Sequence, residues 1–181
     1  MTTDAAESVK ECREMVRDFA RAEIAPHVRE WDEKAGCPAE VFRRLGGLGL
    51  MGILIPEEYG GVGMSYRHYA AILEELGAVE GGIGLSVAAH NSLCTNHIYT
   101  YGSEEQKQAY LPKIASGELR LQAFAVTEPT TGSDTTKLKT RAERRGAAYV
   151  VNGQKVWTSR ALHSDLMLLL ARTTPVEQVK K

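Results

Sequence analysis

Ala123-Phe124-Ala125-Val126-Thr127-Glu128-Pro129-Thr130-Thr131-Gly132-Ser133-Asp134 divides the chain: the sequence before it reads as helix and the sequence after it as strand. The apolar run over residues 121–126 predicts a strand, which gives way to a polar turn. Pro129 removes a backbone donor and biases Glu128 toward an extended conformation. Gly132 permits positive φ, and Asp134 can close an Asx turn. A strand ending in such a loop offers backbone N–H groups and small hydroxyls to a polar ring edge or a phosphate.

A second stretch follows, Asn152-Gly153-Gln154-Lys155-Val156-Trp157-Thr158-Ser159. It predicts a hairpin turn at Asn152-Gly153 and a strand that ends in an aromatic residue and two hydroxyls. Together the two stretches resemble the hallmark of the acyl-CoA dehydrogenase family, a Val-Thr-Glu-Pro…Gly-Ser-Asp loop followed by Asn-Gly-x-Lys-x-Trp-x-(Thr/Ser). The resemblance extends through the helical part, in Pro56-Glu57-Glu58-Tyr59-Gly60-Gly61 and Tyr101-Gly102-Ser103-Glu104-Glu105-Gln106-Lys107, and covers nearly the whole chain. It departs at Thr130-Thr131, where the family has a small residue after the proline, and at Arg160, where a small residue or Asn is common.

Composition agrees with a globular protein. The 181 residues are 43% apolar with a formal charge of −1, so no electrostatic reason exists to expect nucleic acid or an anionic membrane as partner. No apolar run is long enough to span a bilayer. Cys12, Cys37 and Cys94 are widely spaced and contain no Cys-x-x-Cys pair, which suits a reducing compartment. The N-terminus has neither a secretory apolar core nor the Arg-rich bias of a transit peptide. A cytoplasmic location is expected.

Apolar residues at three- and four-residue steps (Val9, Cys12, Val16, Phe19, Ala20, Ile24, Val28) predict a long amphipathic helix over 5–32, bent at Pro26. Val41, Phe42 and Leu45 begin a shorter one. Residues 46–56 are too glycine-rich for a helix and predict a close-packed connection. Ser65 is the expected cap of a helix over 66–78, and Gly81-Gly82 separate it from a central apolar helix over 83–101. Ser103-x-x-Gln106 is a capping box for a helix that Gly117 ends. Strands are expected at 138–144, 147–151, 155–158 and 166–172. The fold class is α+β: an all-α domain over 1–120, then the start of a β domain over 121–181, cut short before its sheet is complete.

Candidate chemistry can be weighed residue by residue. His90, Cys94 and His97 share one side of the central helix, but two turns of helix separate the histidines by about 10 Å, too far for one ion. No metal site is expected. Glu57-Glu58 sits in a Pro/Gly loop, where a solvated or loop-fixing role is the simpler reading. The resemblance implies an FAD cofactor and places its contacts at Phe124, Ala125, Val126, Thr127, Gly132, Ser133, Trp157, Thr158 and Ser159. Trp157 then packs on the flavin ring, Ser159 bonds near flavin N5, and Ser133 also meets the acyl-CoA thioester arm. Ser86, Val87 and His90 are implied as walls of the acyl pocket. Glu128 is implied to be structural, with the base supplied by a C-terminal helical domain outside these residues.

The reaction so implied is α,β-dehydrogenation of an acyl-CoA to a 2-enoyl-CoA, with electron-transferring flavoprotein as acceptor and a homotetramer as the full-length form. Without the base domain the 181 residues are expected to be inactive. Two other readings fit the same signature: an acyl-CoA oxidase, told apart by oxygen consumption, and a non-catalytic interaction domain, told apart by stable folding without flavin.

Overall fold

A computed structural model describes residues 3–175 and 178, with residues 3–5 as backbone only. The apolar stripe Cys12, Val16, Ala20, Ile24 is buried, as its four-residue steps require. The long first helix is interrupted where Pro26 withholds a donor. Helix α1 (Thr3–Phe19) passes into a π turn at Ala20–Ile24, a 3₁₀ turn at Ala25–His27, and then α2 (Val28–Glu33). Helix α3 (Ala39–Gly47) follows, burying Val41, Phe42 and Leu45.

Helix α4 (Tyr66–Val79) packs on α1, and the pair is clamped by Arg17, whose Nε and Nη2 donate to the two carboxylate oxygens of Glu75 at 2.8 and 2.7 Å. Ser65 precedes α4 as expected, but its hydroxyl pairs with His68 Nδ1 at 2.8 Å and caps no backbone N–H. The central helix begins at Gly81 itself, because the Glu80 carboxylate accepts from the N–H groups of Gly82 and Ile83. It comprises α5 (Gly81–Ala88), a π segment (Ala89–Thr95) and α6 (Asn96–Tyr101). Asn91 projects from the π segment. Its Oδ1 accepts from Ile53 N at 2.9 Å and its Nδ2 donates to Leu50 O at 2.9 Å, fixing the buried glycine-rich connection. Helix α7 (Glu104–Ala115) carries the full capping box of Ser103 and Gln106 and stops at Gly117, with φ of 78°.

Gly46 and Gly47 both lie in α3 and make opposite predictions. A Cβ on Gly46 would stand 2.2 Å from the Ser116 carbonyl oxygen, whereas one on Gly47 meets nothing within 4 Å. Gly46→Ala is expected to destabilise the protein by about 2 kcal/mol through overpacking. Gly47→Ala is expected to stabilise it by up to about 1 kcal/mol through helix propensity. Urea unfolding of the two variants checks both; equal effects would sink the packing argument.

After the helices come two small sheets among the described residues. Strand β1 (Ala123–Ala125) pairs in parallel with β4 (Met167–Leu169), and β2 (Arg141–Arg145) pairs antiparallel with β3 (Ala148–Asn152). The α+β class stands. The expected hairpin turn does not: β2 and β3 turn at Gly146, with φ of 63°, and Asn152-Gly153 ends β3. Gly153 lies so close to Thr140 that a Cβ would sit 2.4 Å from its hydroxyl oxygen. Residues 155–158 form no strand, because Lys155 is drawn inward to Glu128 and, among the described residues, only the Val156 backbone bonds to a neighbouring segment, at Thr127.

Candidate functional site

Three hydrogen bonds bring the two signature stretches together. The Val156 N–H donates to the Thr127 carbonyl at 2.9 Å, and the Lys155 ammonium donates to Val126 O at 2.8 Å and Glu128 Oε1 at 3.0 Å. Glu128 also accepts from the backbone N–H groups of Lys139 at 2.7 Å and Thr140 at 2.8 Å. Burial opposes ionisation of this carboxyl. The donors from Thr140, Lys139 and Lys155 outweigh it and hold the pKa down at about 2. Glu128 is therefore the buried rivet of the loop.

Beyond the rivet the chain turns outward. Trp157 has φ of 58° and is 90% exposed, and Arg160 has φ of 60°. Left-handed backbone costs a residue with a Cβ roughly 1–2 kcal/mol, so the turn over 157–160 persists only because its surroundings fix it. Arg160 is part of that fixing: its Nε donates to Gln122 Oε1 at 3.3 Å, and its guanidinium lies 5.0 Å from the centre of the buried Phe42 ring. Arg160 and Gln122 were not assigned roles from sequence. The departure at Arg160 was visible there, but its partners lie on distant elements.

The other expected residues fall around this turn. Ala125 is buried in β1, Phe124 is half-buried against the His97 ring at 5.4 Å, and Val126 and Thr127 are half-buried beside Lys155. Gly132 and Ser133 are exposed at the far end of the loop, next to the Asx turn in which Asp134 Oδ1 accepts from Thr136 N at 3.2 Å. Among the described residues, the hydroxyls of Thr127, Ser133, Thr158 and Ser159 have no protein partner. Free donors beside an exposed aromatic face suit a flat, polar-edged ring.

Ser159 and Arg160 also line a cavity of about 290 Å³ that reaches Trp31, Leu85, Ser86, Ala89 and Gln122. Of the three residues expected as walls of an acyl pocket, Ser86 lines this cavity. Val87 and His90 are fully buried behind it, because the helix turns them into the core. Leu85 and Ala89 line the cavity beside Ser86.

His90 joins the two halves of the fold. Its Nδ1 accepts from Leu121 N at 3.3 Å, which makes Nε2 the donor to Ile114 O at 3.0 Å. Burial pushes its pKa down to about 4 and that of the buried Cys94 thiol up to about 12. Among the described residues no three His, Cys, Asp or Glu side chains gather as a metal site.

Comparison with known proteins accounts for this arrangement. The family model of the acyl-CoA dehydrogenase N-terminal domain matches residues 6–118, and that of the middle domain matches residues 123–181. The chain is 45% identical over 161 residues to the probable acyl-CoA dehydrogenase YngJ of Bacillus subtilis (strain 168), covering 89% of this chain and 42% of that protein. It is 39% identical over 166 residues to the mitochondrial isovaleryl-CoA dehydrogenase of Solanum tuberosum, covering 91% and 40%. The crystal structure of a glutaryl-CoA dehydrogenase from Mycobacterium smegmatis in complex with FADH2 superposes with a TM-score of 0.87 at 33% identity, covering 96% of this chain and 43% of that one. The chain thus spans about two fifths of the length of the curated relatives it matches. With both stretches stitched together and both family models matched in order, the chain belongs to the acyl-CoA dehydrogenase family.

Proposed function

We propose that this chain forms the flavin face of an FAD-dependent acyl-CoA dehydrogenase. The observation that carries the reading is Trp157, exposed on a left-handed backbone beside hydroxyls that have no partner among the described residues. FAD held there would supply the hydride acceptor for oxidation of the Cα–Cβ bond of an acyl-CoA. Trp157 gives the ring an apolar wall. Thr127, Thr158 and Ser159 offer fixed donors where negative charge develops, and such donors need no reorganisation during the reaction. Phe124, Ala125, Val126 and Gly132 complete the cradle, and Ser133 meets cofactor and thioester arm together. The acyl group enters the cavity beside Leu85, Ser86 and Ala89.

The wider assignments belong to the same reading: a division into domains at residues 120/121, a cytoplasmic location, electron-transferring flavoprotein as acceptor, and a homotetrameric full-length enzyme. The 181 residues alone turn over no acyl-CoA in this reading. Glu128, the carboxylate between the two stretches, is buried, ion-paired and strongly acidic, the wrong state for an α-proton base.

Titration with FAD tests the cradle. Bound flavin is expected to quench Trp157 emission, read in a Trp31→Phe background, and Ser159→Ala is expected to weaken binding by about tenfold, the worth of one hydrogen bond to developing charge. Unchanged emission across the micromolar range, or equal binding by Trp157→Ala, would remove the assignment of these residues to flavin and leave the family membership standing.

A further inference from the structure

The cavity of about 290 Å³ beside Ser159 has apolar walls in Val28, Trp31, Leu85 and Ala89 and a polar end at Gln122 and Arg160. Gln122 is only 2% exposed. Arg160 sets the orientation of its amide: the guanidinium Nε donates to Oε1 at 3.3 Å, which leaves Nε2 as the donor end. That Nε2 is buried and has no hydrogen-bond partner among the described residues. A buried donor left unpaired is costly, and one in the wall of a cavity calls for an acceptor. The Arg160 bond is long for N–H···O, so the amide keeps some freedom to turn toward the cavity it lines.

Most of the other polar groups of the lining are engaged. Glu80 accepts from the Gly82 and Ile83 N–H groups, and the Ser86 hydroxyl donates to Gly82 O at 2.7 Å. The Arg160 guanidinium lies over the Phe42 ring. Asp32 adds a second carboxylate, so the lining carries two anions against one cation. It has no surplus positive charge to offer an acyl group that ends in a carboxylate. What remains is one neutral N–H donor set among apolar walls, an arrangement that selects a ligand with a neutral acceptor oxygen. A carbonyl oxygen suits a lone donor, because it accepts and has no proton of its own to place. The volume is at the lower end of small-ligand sites, about 300–1,000 Å³, which limits the group to a short one. Loss of a hydride from Cβ requires a hydrogen on that carbon, so the carbonyl belongs beyond it.

We propose that this cavity selects short acyl groups bearing a ketone beyond Cβ, with Gln122 as the residue that recognises its oxygen. The inference rests on the acyl reading of the cavity given above. Calorimetric titration of the 181-residue chain with N-acetylcysteamine thioesters is the test. The better of the γ-oxohexanoyl and δ-oxohexanoyl thioesters is expected to bind about tenfold more tightly than the hexanoyl one, the discrimination that one hydrogen bond to an otherwise unpaired buried donor supplies. The adipoyl thioester should bind no more tightly than hexanoyl. Gln122→Met and Gln122→Glu should each abolish the preference; the second keeps an oxygen for Arg160 and loses the donor. The Gln122 side-chain N–H signals, identified by their loss in Gln122→Met, should move downfield with the oxo thioester and not with hexanoyl. Equal affinity for hexanoyl and both oxo thioesters, or a preference that survives both variants, overturns the inference and leaves the acyl cavity standing. Tightest binding by adipoyl overturns the neutral assignment in favour of a carboxylate at Arg160. If not even hexanoyl saturates the chain, the acyl reading of the cavity falls, and the inference with it.

Discussion

Glu128→Ala is expected to destabilise the protein by about 3–5 kcal/mol, the cost of removing one member of a buried ion pair. The carboxylate and the Lys155 ammonium are 3% and 9% exposed, so water cannot replace the lost partner. The substitution also leaves the N–H groups of Lys139 and Thr140 without their acceptor. Lys155 retains one bond, to Val126 O, and is otherwise a stranded cation. Lys155→Met should be milder, because the Glu128 charge it leaves behind keeps two backbone donors, whereas the ammonium stranded by Glu128→Ala keeps one acceptor. Thermal or urea unfolding of the two variants separates these cases. A loss of under 1 kcal/mol for Glu128→Ala would mean that the loop is held by something else.

The same pair sets an acid limit. The Glu128 carboxyl has a pKa of about 2 in the folded protein against an ordinary 4.5. Between those values the unfolded chain binds a proton that the folded one refuses, so stability rises with pH. The contribution is complete above pH 4.5 and is lost as the pH falls toward 2. At 1.36 kcal/mol per pH unit it amounts to at most about 3 kcal/mol. Glu128→Gln is expected to flatten the unfolding free energy over that window relative to the parent. Parallel profiles would show that the carboxylate gains nothing from its donors.

Local signals in the sequence carried through wherever a single turn of chain decides the outcome. Ser103 and Gln106 satisfy each other's end of α7, and Gly117 ends it, because both devices need only neighbouring residues. The two signature stretches likewise announce the site. What failed was local chemistry overruled by distant contacts. Asn152-Gly153 has the dipeptide preference of a hairpin, yet Thr140 occupies the space beside Gly153 and Lys155 is pulled toward a carboxylate 27 residues away. Ser65 has the right side chain for a cap, but its hydroxyl pairs with His68, whose other ring nitrogen is tied to Ser8, 60 residues away. Val87 and His90 follow the helix into the core because the π segment and the Asn91 bonds set its rotation. The bracing of the 157–160 turn by Gln122 and Phe42 depends on residues 38 and 118 positions away, which no periodicity encodes.

His90→Phe is the variant expected to uncouple the two halves of the fold. The imidazole links the end of α7, through Ile114 O, to the residue before β1, through Leu121 N, with no exposure to solvent. A phenyl ring fills the space but leaves the Leu121 N–H buried and unpaired, at about 1–3 kcal/mol, while Ile114 O keeps the Gly117 N–H at 3.1 Å. The pH dependence of the parent gives an independent reading of the same contact. Burial disfavours the charged imidazole and outweighs the backbone hydrogen bonds to Ile114 and Met51 that favour it, so the pKa is pushed down to about 4 from 6.5. The unfolded chain binds the extra proton between those values; the folded state consequently loses up to about 3 kcal/mol as the pH falls from 6.5 to 4. That window lies mostly above the one set by Glu128, so the two groups can be titrated apart. In His90→Gln the slope between pH 6.5 and 4 should be smaller than in the parent while the slope below pH 4 remains. If instead the imidazole is charged in the folded protein at pH 6, as nitrogen chemical shifts would reveal, then His90 cannot accept from Leu121, and the junction between helices and strands must be held by another contact.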